Sequence, residues 1–246
     1  MILRKIIPWL HEIGTGGEQK RVTRFLPQKS LHTTLQWLVY TAIIAITAWG
    51  LFLRIYAGGV QSFWIDESFS VNAALGILED GTPHLTSGVS YWRGALHTYP
   101  MSFFMWLGSP TEFAARFPAM LVGAATIPVS FLLGQRIGGT AVGISTATLI
   151  AFADIEIAWS RQARMYQQLQ FFTLLALYGY MIAYNRPTWR SVSLTVAAIA
   201  AATASHILGF LVAIIIVLHL SIMRLSQVRN LQDIRSLARL NYLGIA

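Results

Sequence analysis

The chain has 246 residues, 55% of them hydrophobic and only 11% charged, against about 25% charged in an ordinary soluble domain. That balance excludes a soluble domain and reads as an integral membrane protein. There is no cysteine, which excludes disulfides and thiolate metal sites. The net charge of +8 sits in tails and short loops, which is a membrane-topology pattern rather than a nucleic-acid footprint.

Residues 1–34 carry Arg4, Lys5, Lys20, Arg21, Arg24 and Lys29 and are expected to form a basic cytoplasmic segment. A cleavable signal is not expected there, because the early apolar run is short and broken by Pro8. Apolar windows of spanning length then predict six membrane helices, at 35–56, 117–133, 140–158, 166–184, 191–205 and 208–223. The expected class is therefore an all-α integral membrane protein, with a module at 35–223 and a long outer loop at 57–116. Within that loop, residues 68–78 have helical apolar spacing that stops at Gly81-Thr82-Pro83. The piece at 99–107 is apolar but too short to span, and is expected to be an interfacial or re-entrant helix. Residues 224–246 interleave Arg224, Arg229, Arg235 and Arg239 with apolar side chains at three-residue steps. This tail reads as a basic amphipathic cytoplasmic helix or the start of a further loop.

Six spans with a cytoplasmic N-terminus put Arg136, Arg186, Arg190 and the basic tails inside. Asp66, Glu67, Glu79, Asp80, Glu112, Asp154 and Glu156 then fall outside. A seventh span at 99–107 would turn Arg136, Arg186 and Arg190 outward, and is rejected on that ground.

The outer-face charges with chemical meaning lie in two places. One is Asp66-Glu67, directly after the first span. The other is Asp154-Ile155-Glu156 followed by Ser160-Arg161-Gln162-Ala163-Arg164-Met165-Tyr166. On a continuous helix Asp154, Arg161 and Arg164 share one face. Guanidinium groups at membrane depth suit a lipid-linked phosphate, which they bind bidentately. A sugar on a phosphate lipid has a good leaving group, so one carboxylate deprotonating an acceptor hydroxyl is enough for displacement. Adjacent helical residues point about 100° apart, so Asp66 and Glu67 read as one base and one helper rather than an acid/base pair. The plain alternatives are a helix cap at Asp66, a structural ion pair between Asp154 and Arg161, and interfacial anchoring by Arg164 and Tyr166. His97 and His206 are supporting candidates; His84 and His219 read as loop and boundary residues. No cluster has metal-ligand spacing and no cofactor is required, although Asp66 and Glu67 together could hold a divalent cation on a phosphate.

These residues resemble the polytopic glycosyltransferases of the GT-C class that use polyprenyl-phosphate sugars, the group of the protein O-mannosyltransferases and lipid A aminoarabinose transferases. The resemblance rests on Trp64-Ile65-Asp66-Glu67, the stretch His97 to Pro100, Glu112-Phe113-Ala114-Ala115-Arg116-Phe117-Pro118, and Ser160 to Tyr166, in that order. It implies transfer of a hexose or pentose from a polyprenyl-phosphate donor to an acceptor hydroxyl on the non-cytoplasmic face, with inversion. Asp66 matches the acidic residue serving as base or acceptor-binding group, with Glu67 beside it. Arg161, Arg164 and Tyr166 fall in the motif near the donor phosphate, with Asp154, Glu156, His97 and His206 in support. The location implied is a prokaryotic plasma membrane, with both termini cytoplasmic and no nucleic-acid partner. Two departures are visible. His97-Thr98-Tyr99-Pro100 lacks the family's consecutive prolines, and the chain is short for the class, so a continuation or a partner subunit is expected. The competing readings are a non-catalytic polyprenyl-phosphate-binding module and a lipid transporter or flippase. The latter expects midplane charges and inverted repeats, which this sequence lacks.

Overall fold

The computed structural model describes residues 28–227. Most of the expected basic segment at 1–34 and of the tail at 224–246 lies outside the described residues. Residues 1–42 and 43–246 form two compact units. The described part of the first is the opening half of α1 (Gln28–Ile55); everything below concerns the second.

Among the described residues, three stretches are long and apolar enough to cross a membrane: Thr33–Ile55, Glu112–Phe152 and Ile207–Ser226. The second of these belongs to α4 (Glu112–Phe152), which is two helices joined by a turn. At Gly138 the backbone leaves helical geometry, and Gly139 takes φ +84°, a left-handed conformation open to glycine. The two arms fold back on each other, and Thr146 Oγ1 donates to the Ser130 carbonyl at 3.0 Å. The expected spans at 117–133 and 140–158 are these arms, with one correction. The second arm stops at Phe152, and Ala153 breaks it with extended backbone (φ −65°, ψ 126°) before the short helix α5 (Asp154–Ser160). The reason is Arg54. Its fully buried guanidinium accepts no continuation of the helix, because Nη2 donates to the Ile150 carbonyl and Nη1 to the Ala151 carbonyl, at 2.8 and 3.2 Å. Those are the acceptors that the next turn of helix would need.

α6 (Tyr166–Asn185) and α7 (Trp189–Ser205) fill the windows of the fourth and fifth expected spans. They do not meet the same test of length and apolarity: α7 has 17 residues, and α6 opens on Gln167, Gln168 and Gln170. A single 3-10 turn, Ile207–Gly209, leads from α7 into α8 (Phe210–Gln227). Ala176, Ala198, Val212 and Ile216 form the core between α6, α7 and α8. Small side chains at such contacts let helix backbones approach closely, where packing rather than water exclusion drives association in lipid.

Between α1 and α4 lie the loop helices α2 (Ile65–Asp80) and α3 (Ala95–Gly108). α2 stops where the sequence says, at Gly81, which has φ +87° and donates to the Ile77 carbonyl. α3 contains the predicted piece at 99–107 and is 14 residues long, about 21 Å at 1.5 Å per residue, too short to span. Ala74 of α2, Met101 and Met105 of α3, Ala114 and Ala115 of α4, and Ala163 share one buried cluster. This cluster ties the loop helices to the segment between α5 and α6. The described regular elements are thus all helical, as expected for an all-α membrane protein.

Candidate active site

The chain enters α2 through Trp64, and Glu67 is the third residue of the helix. Its carboxylate folds back to accept from the Trp64 N–H at 2.9 Å, so Glu67 rather than Asp66 makes the side-chain bond at this helix start. The same carboxylate accepts Arg116 Nε on Oε1 and Arg116 Nη2 on Oε2, both at 2.9 Å, and the Ala163 N–H on Oε1 at 2.7 Å. Glu67 is 1% exposed and Arg116 is 2% exposed. Arg116 spends its other N–H groups on the carbonyls of Gly58, Gln61 and Ser62, and lies over the Phe63 ring. Burial pushes the Glu67 carboxyl up, but the hydrogen bonds from Arg116, Ala163 and Trp64 and the charge of Arg116 outweigh it. The carboxyl is held below its ordinary pKa. A buried carboxylate with four donors already seated is a poor base, and it has no lone pair to offer a cation.

Asp66, one residue earlier, is exposed, and its carboxylate has no hydrogen bond or ion pair among the described residues. It opens on a cavity of about 300 Å³ lined by Trp64, Ile65, Asp66, Glu67, Trp159, Gln162 and Tyr166. Asp66 is also joined through its backbone to a cation, since its carbonyl accepts Arg164 Nη1 at 2.7 Å. Arg164 comes from the turn between α5 and α6, is 4% exposed, and reaches Ser70 Oγ at 3.2 Å and Tyr91 Oη at 3.5 Å. Its guanidinium lies 5.6 Å from the Tyr166 ring, and its buried Nε has no hydrogen-bond partner. Burial opposes its charge, but Tyr166 and Tyr91 outweigh that effect and its pKa is raised, so it stays cationic.

Arg161 behaves differently from its expected role. The chain is not helical from Asp154 to Arg164: α5 ends at Ser160, so the shared face of Asp154, Arg161 and Arg164 does not exist. Arg161 Nη2 donates to the carbonyls of Leu53 and Tyr56, at the end of α1. Arg54 and Arg161 thus exchange roles, each closing the terminal carbonyls of the other's neighbourhood, and Ser160 Oγ accepts Arg54 Nε between them at 3.0 Å. Gly123 allows this approach, because a Cβ there would run into Ser160 and Gln167. Asp154 is exposed and forms no ion pair with Arg161 among the described residues. Glu156 is half-buried and accepts Gln170 Nε2 at 2.8 Å, which holds it on α6 rather than at the cavity.

His97 is buried behind Arg164. Gln168 Nε2 lies 2.6 Å from its Nδ1, so with the amide as donor the neutral ring keeps its proton on Nε2. Burial, and after it the charge of Arg164, lowers its pKa to about 4, against a smaller pull from the Ala163 carbonyl. His206 closes α7, and its Nδ1 accepts the Leu208 N–H at 3.1 Å. Its ring lies 5.9 Å from that of Tyr166, and its Nε2 lies 3.2 Å from Nη2 of the exposed Arg93. Burial, then the charges of Arg93 and Arg164, lower its pKa. Among the described residues no three His, Asp or Glu side chains gather in a metal-binding group.

The structure therefore brings Asp66, Arg164, Tyr166, His97 and His206 to one end of the helices, and draws Glu67, Arg161, Asp154 and Glu156 into other duties or leaves them apart. Sequence reasoning missed Arg116 as the partner of Glu67, Arg54 as a helix stop, Trp159 and Gln162 as cavity walls, and Arg93 beside His206. Trp159 precedes the arginine motif and Gln162 lies within it, so both were readable from it; the partners of Glu67 and Arg54 are long-range and left no local signal. A profile of the dolichyl-phosphate-mannose-protein mannosyltransferase family matches residues 93–242, which take in the arginine motif, His97 and His206. No curated protein and no solved structure matches the chain. With that match over more than half of its length, the chain belongs to the dolichyl-phosphate-mannose-protein mannosyltransferase family, and is a membrane glycosyltransferase of the GT-C type.

Proposed function

We propose that the chain transfers a sugar from a polyprenyl-phosphate donor to an acceptor hydroxyl on the non-cytoplasmic face of a prokaryotic plasma membrane, with Asp66 as general base. One observation carries this reading. The only unpartnered carboxylate lining the cavity belongs to the residue whose own carbonyl holds the buried cation Arg164. Base and phosphate-binding cation are thereby fixed within one residue of each other. In-line displacement at the anomeric carbon forms the bond to the acceptor oxygen and breaks the bond to the phosphate oxygen. The acceptor proton passes to Asp66, and the phosphate departs as an anion against Arg164. Displacement of this kind inverts the anomeric centre. The leaving group needs cationic help rather than a proton, so the reading asks for no second carboxylic acid and no metal ion. Trp64, Trp159 and Tyr166 give the cavity amphipathic aromatic walls, suited to a ligand with both apolar and hydroxyl faces.

The test is transfer itself. The full chain is reconstituted in vesicles with radiolabelled polyprenyl-phosphate mannose and presented with peptide, glycan and lipid acceptors. Label moving from the lipid to one acceptor class is the expected result. Stoichiometric donor binding with no transfer to any of the three would mean a binding module that serves another subunit.

A further inference from the structure

An apolar cavity lies at the other end of the bundle from Asp66, where the glycosyltransfer reading has no use for it. α6 begins at Tyr166 beside the candidate active site and ends at Asn185, about 30 Å away at 1.5 Å per residue. Near that far end a cavity of about 250 Å³ opens between α6, α7 and α8, with Tyr180, Tyr184, Pro187, Val196 and Leu220 in its walls. The walls offer hydrocarbon and little else. Thr195 also faces the cavity, but its Oγ1 donates to the Ser191 carbonyl at 2.9 Å. Tyr180 Oη is bonded to His219 Nδ1 at 2.5 Å. Pro187 has no N–H to give. A polar ligand finds almost no partner inside, and a chain of methylenes leaves none unsatisfied.

The rim has the opposite character. Arg186 and Arg190 lie either side of Pro187 and Thr188 on the turn from α6 to α7, and Arg224 follows Leu220 by about one turn on α8. All three are exposed, and none has a hydrogen bond or ion pair from its side chain among the described residues. Residues 166–227 contain no Asp or Glu, so α6, α7 and α8 hold nothing to balance these charges. Trp189 is 75% exposed with the Arg190 guanidinium 5.6 Å from its ring, and Tyr184 is 47% exposed. Aromatic side chains of this kind settle at the headgroup level of a bilayer. They set the arginines among the headgroups and the cavity just beneath, at the depth of the acyl chains. A choline or ethanolamine headgroup brings an ammonium that meets no carboxylate there, whereas a headgroup of net negative charge meets only cations.

We propose that this cavity binds an anionic glycerophospholipid at the membrane face opposite the candidate active site, with part of an acyl chain in the cavity and the phosphate against Arg186, Arg190 and Arg224. The lipid joins the α6–α7 turn to α8, and by binding the folded chain it stabilises it.

The experiment measures binding alone. The full chain in neutral detergent is titrated with phosphatidylglycerol and, separately, with phosphatidylcholine; native mass spectrometry counts bound lipid and melting temperature is recorded alongside. Saturable phosphatidylglycerol binding, about tenfold or more tighter than phosphatidylcholine and with a raised melting temperature, is the expected result. Arg186→Gln together with Arg190→Gln is expected to weaken phosphatidylglycerol by about twenty-fivefold, on the order of fivefold for each charge lost at a lipid surface. Val196→Trp, which fills the cavity from a position already 60% exposed, is expected to remove saturable binding. Arg136→Gln is expected to bind as wild type, because Arg136 stands over Tyr178, on the other side of α6 from the stacked pair Tyr180 and Tyr184. Equal affinity for phosphatidylcholine overturns the anionic headgroup. Wild-type affinity in Val196→Trp overturns the cavity. A loss in Arg136→Gln equal to that of the double variant reduces the site to diffuse surface charge and overturns it. Melting temperatures without lipid separate unfolding from lost binding, and Val196→Trp gives the answer if the double variant does not fold. The assay reads no sugar transfer, so a failure of Asp66 as base leaves its outcome untouched.

Discussion

Glu67 and Asp66 are neighbours in sequence and opposites in surroundings. Glu67 is sealed into a knot with Arg116, Ala163 and Trp64, and every acceptor site it has is taken. Asp66 stands at the mouth of a cavity with a free carboxylate and a cation bound to its own backbone. The knot joins three segments far apart in the chain: the loop after α1, the start of α4 and the turn before α6. It holds the site in place, and the mouth is where chemistry is available. A buried, fully bonded charge fixes structure; an open one can exchange a proton.

Breaking each side separately should give different signatures. The largest effect is expected at Asp66. Asp66→Asn should cut turnover by about 10²- to 10⁴-fold, the usual reach of a general base, with little change in unfolding temperature. Glu67→Gln should act on the fold instead. Removing one partner of a buried pair strands Arg116, at a cost of about 3–5 kcal/mol in stability measured by thermal or denaturant unfolding in detergent. The double substitution Glu67→Gln with Arg116→Met should recover part of that loss, and a strictly additive result would deny the pairing.

His97 supplies a pH test of the wall behind the mouth. Its folded pKa of about 4 lies below the ordinary 6.5, so the unfolded chain binds the extra proton first. Stability should therefore be intact above pH 6.5 and fall as the pH drops towards 4, by on the order of 3 kcal/mol. His97→Gln should flatten that slope; an unchanged slope would assign the acid sensitivity elsewhere. The smallest effect is expected at Arg161. Arg161→Gln should cost about 1–2 kcal/mol of stability through the carbonyls of Leu53 and Tyr56, and leave turnover in the folded protein near wild type.

Much of this was legible in the sequence, for reasons that can be named. Composition and apolar windows gave the all-α membrane class, and Gly81 marked the end of α2 through its backbone freedom. The position of Asp66 after the first apolar window made it a candidate before any geometry. What escaped were contacts made at long range. The expected span runs on from Thr140 past Ala153, whereas the helix stops at Phe152, where Arg54, about a hundred residues earlier, takes the carbonyls of Ile150 and Ala151. The helical spacing of Asp154, Arg161 and Arg164 was sound arithmetic on a helix that ends at Ser160. Glu67 read as the helper of Asp66 because its true partner, Arg116, lies 49 residues away in the next long helix.

The central claim is that the open carboxylate, not the sealed one, takes the acceptor proton. It is tested most directly by measuring donor binding and sugar transfer on the same preparation of Asp66→Asn, with radiolabelled polyprenyl-phosphate sugar in vesicles. The expected result is donor affinity near wild type with transfer reduced at least a hundredfold. Transfer within a few-fold of wild type in Asp66→Asn would contradict it.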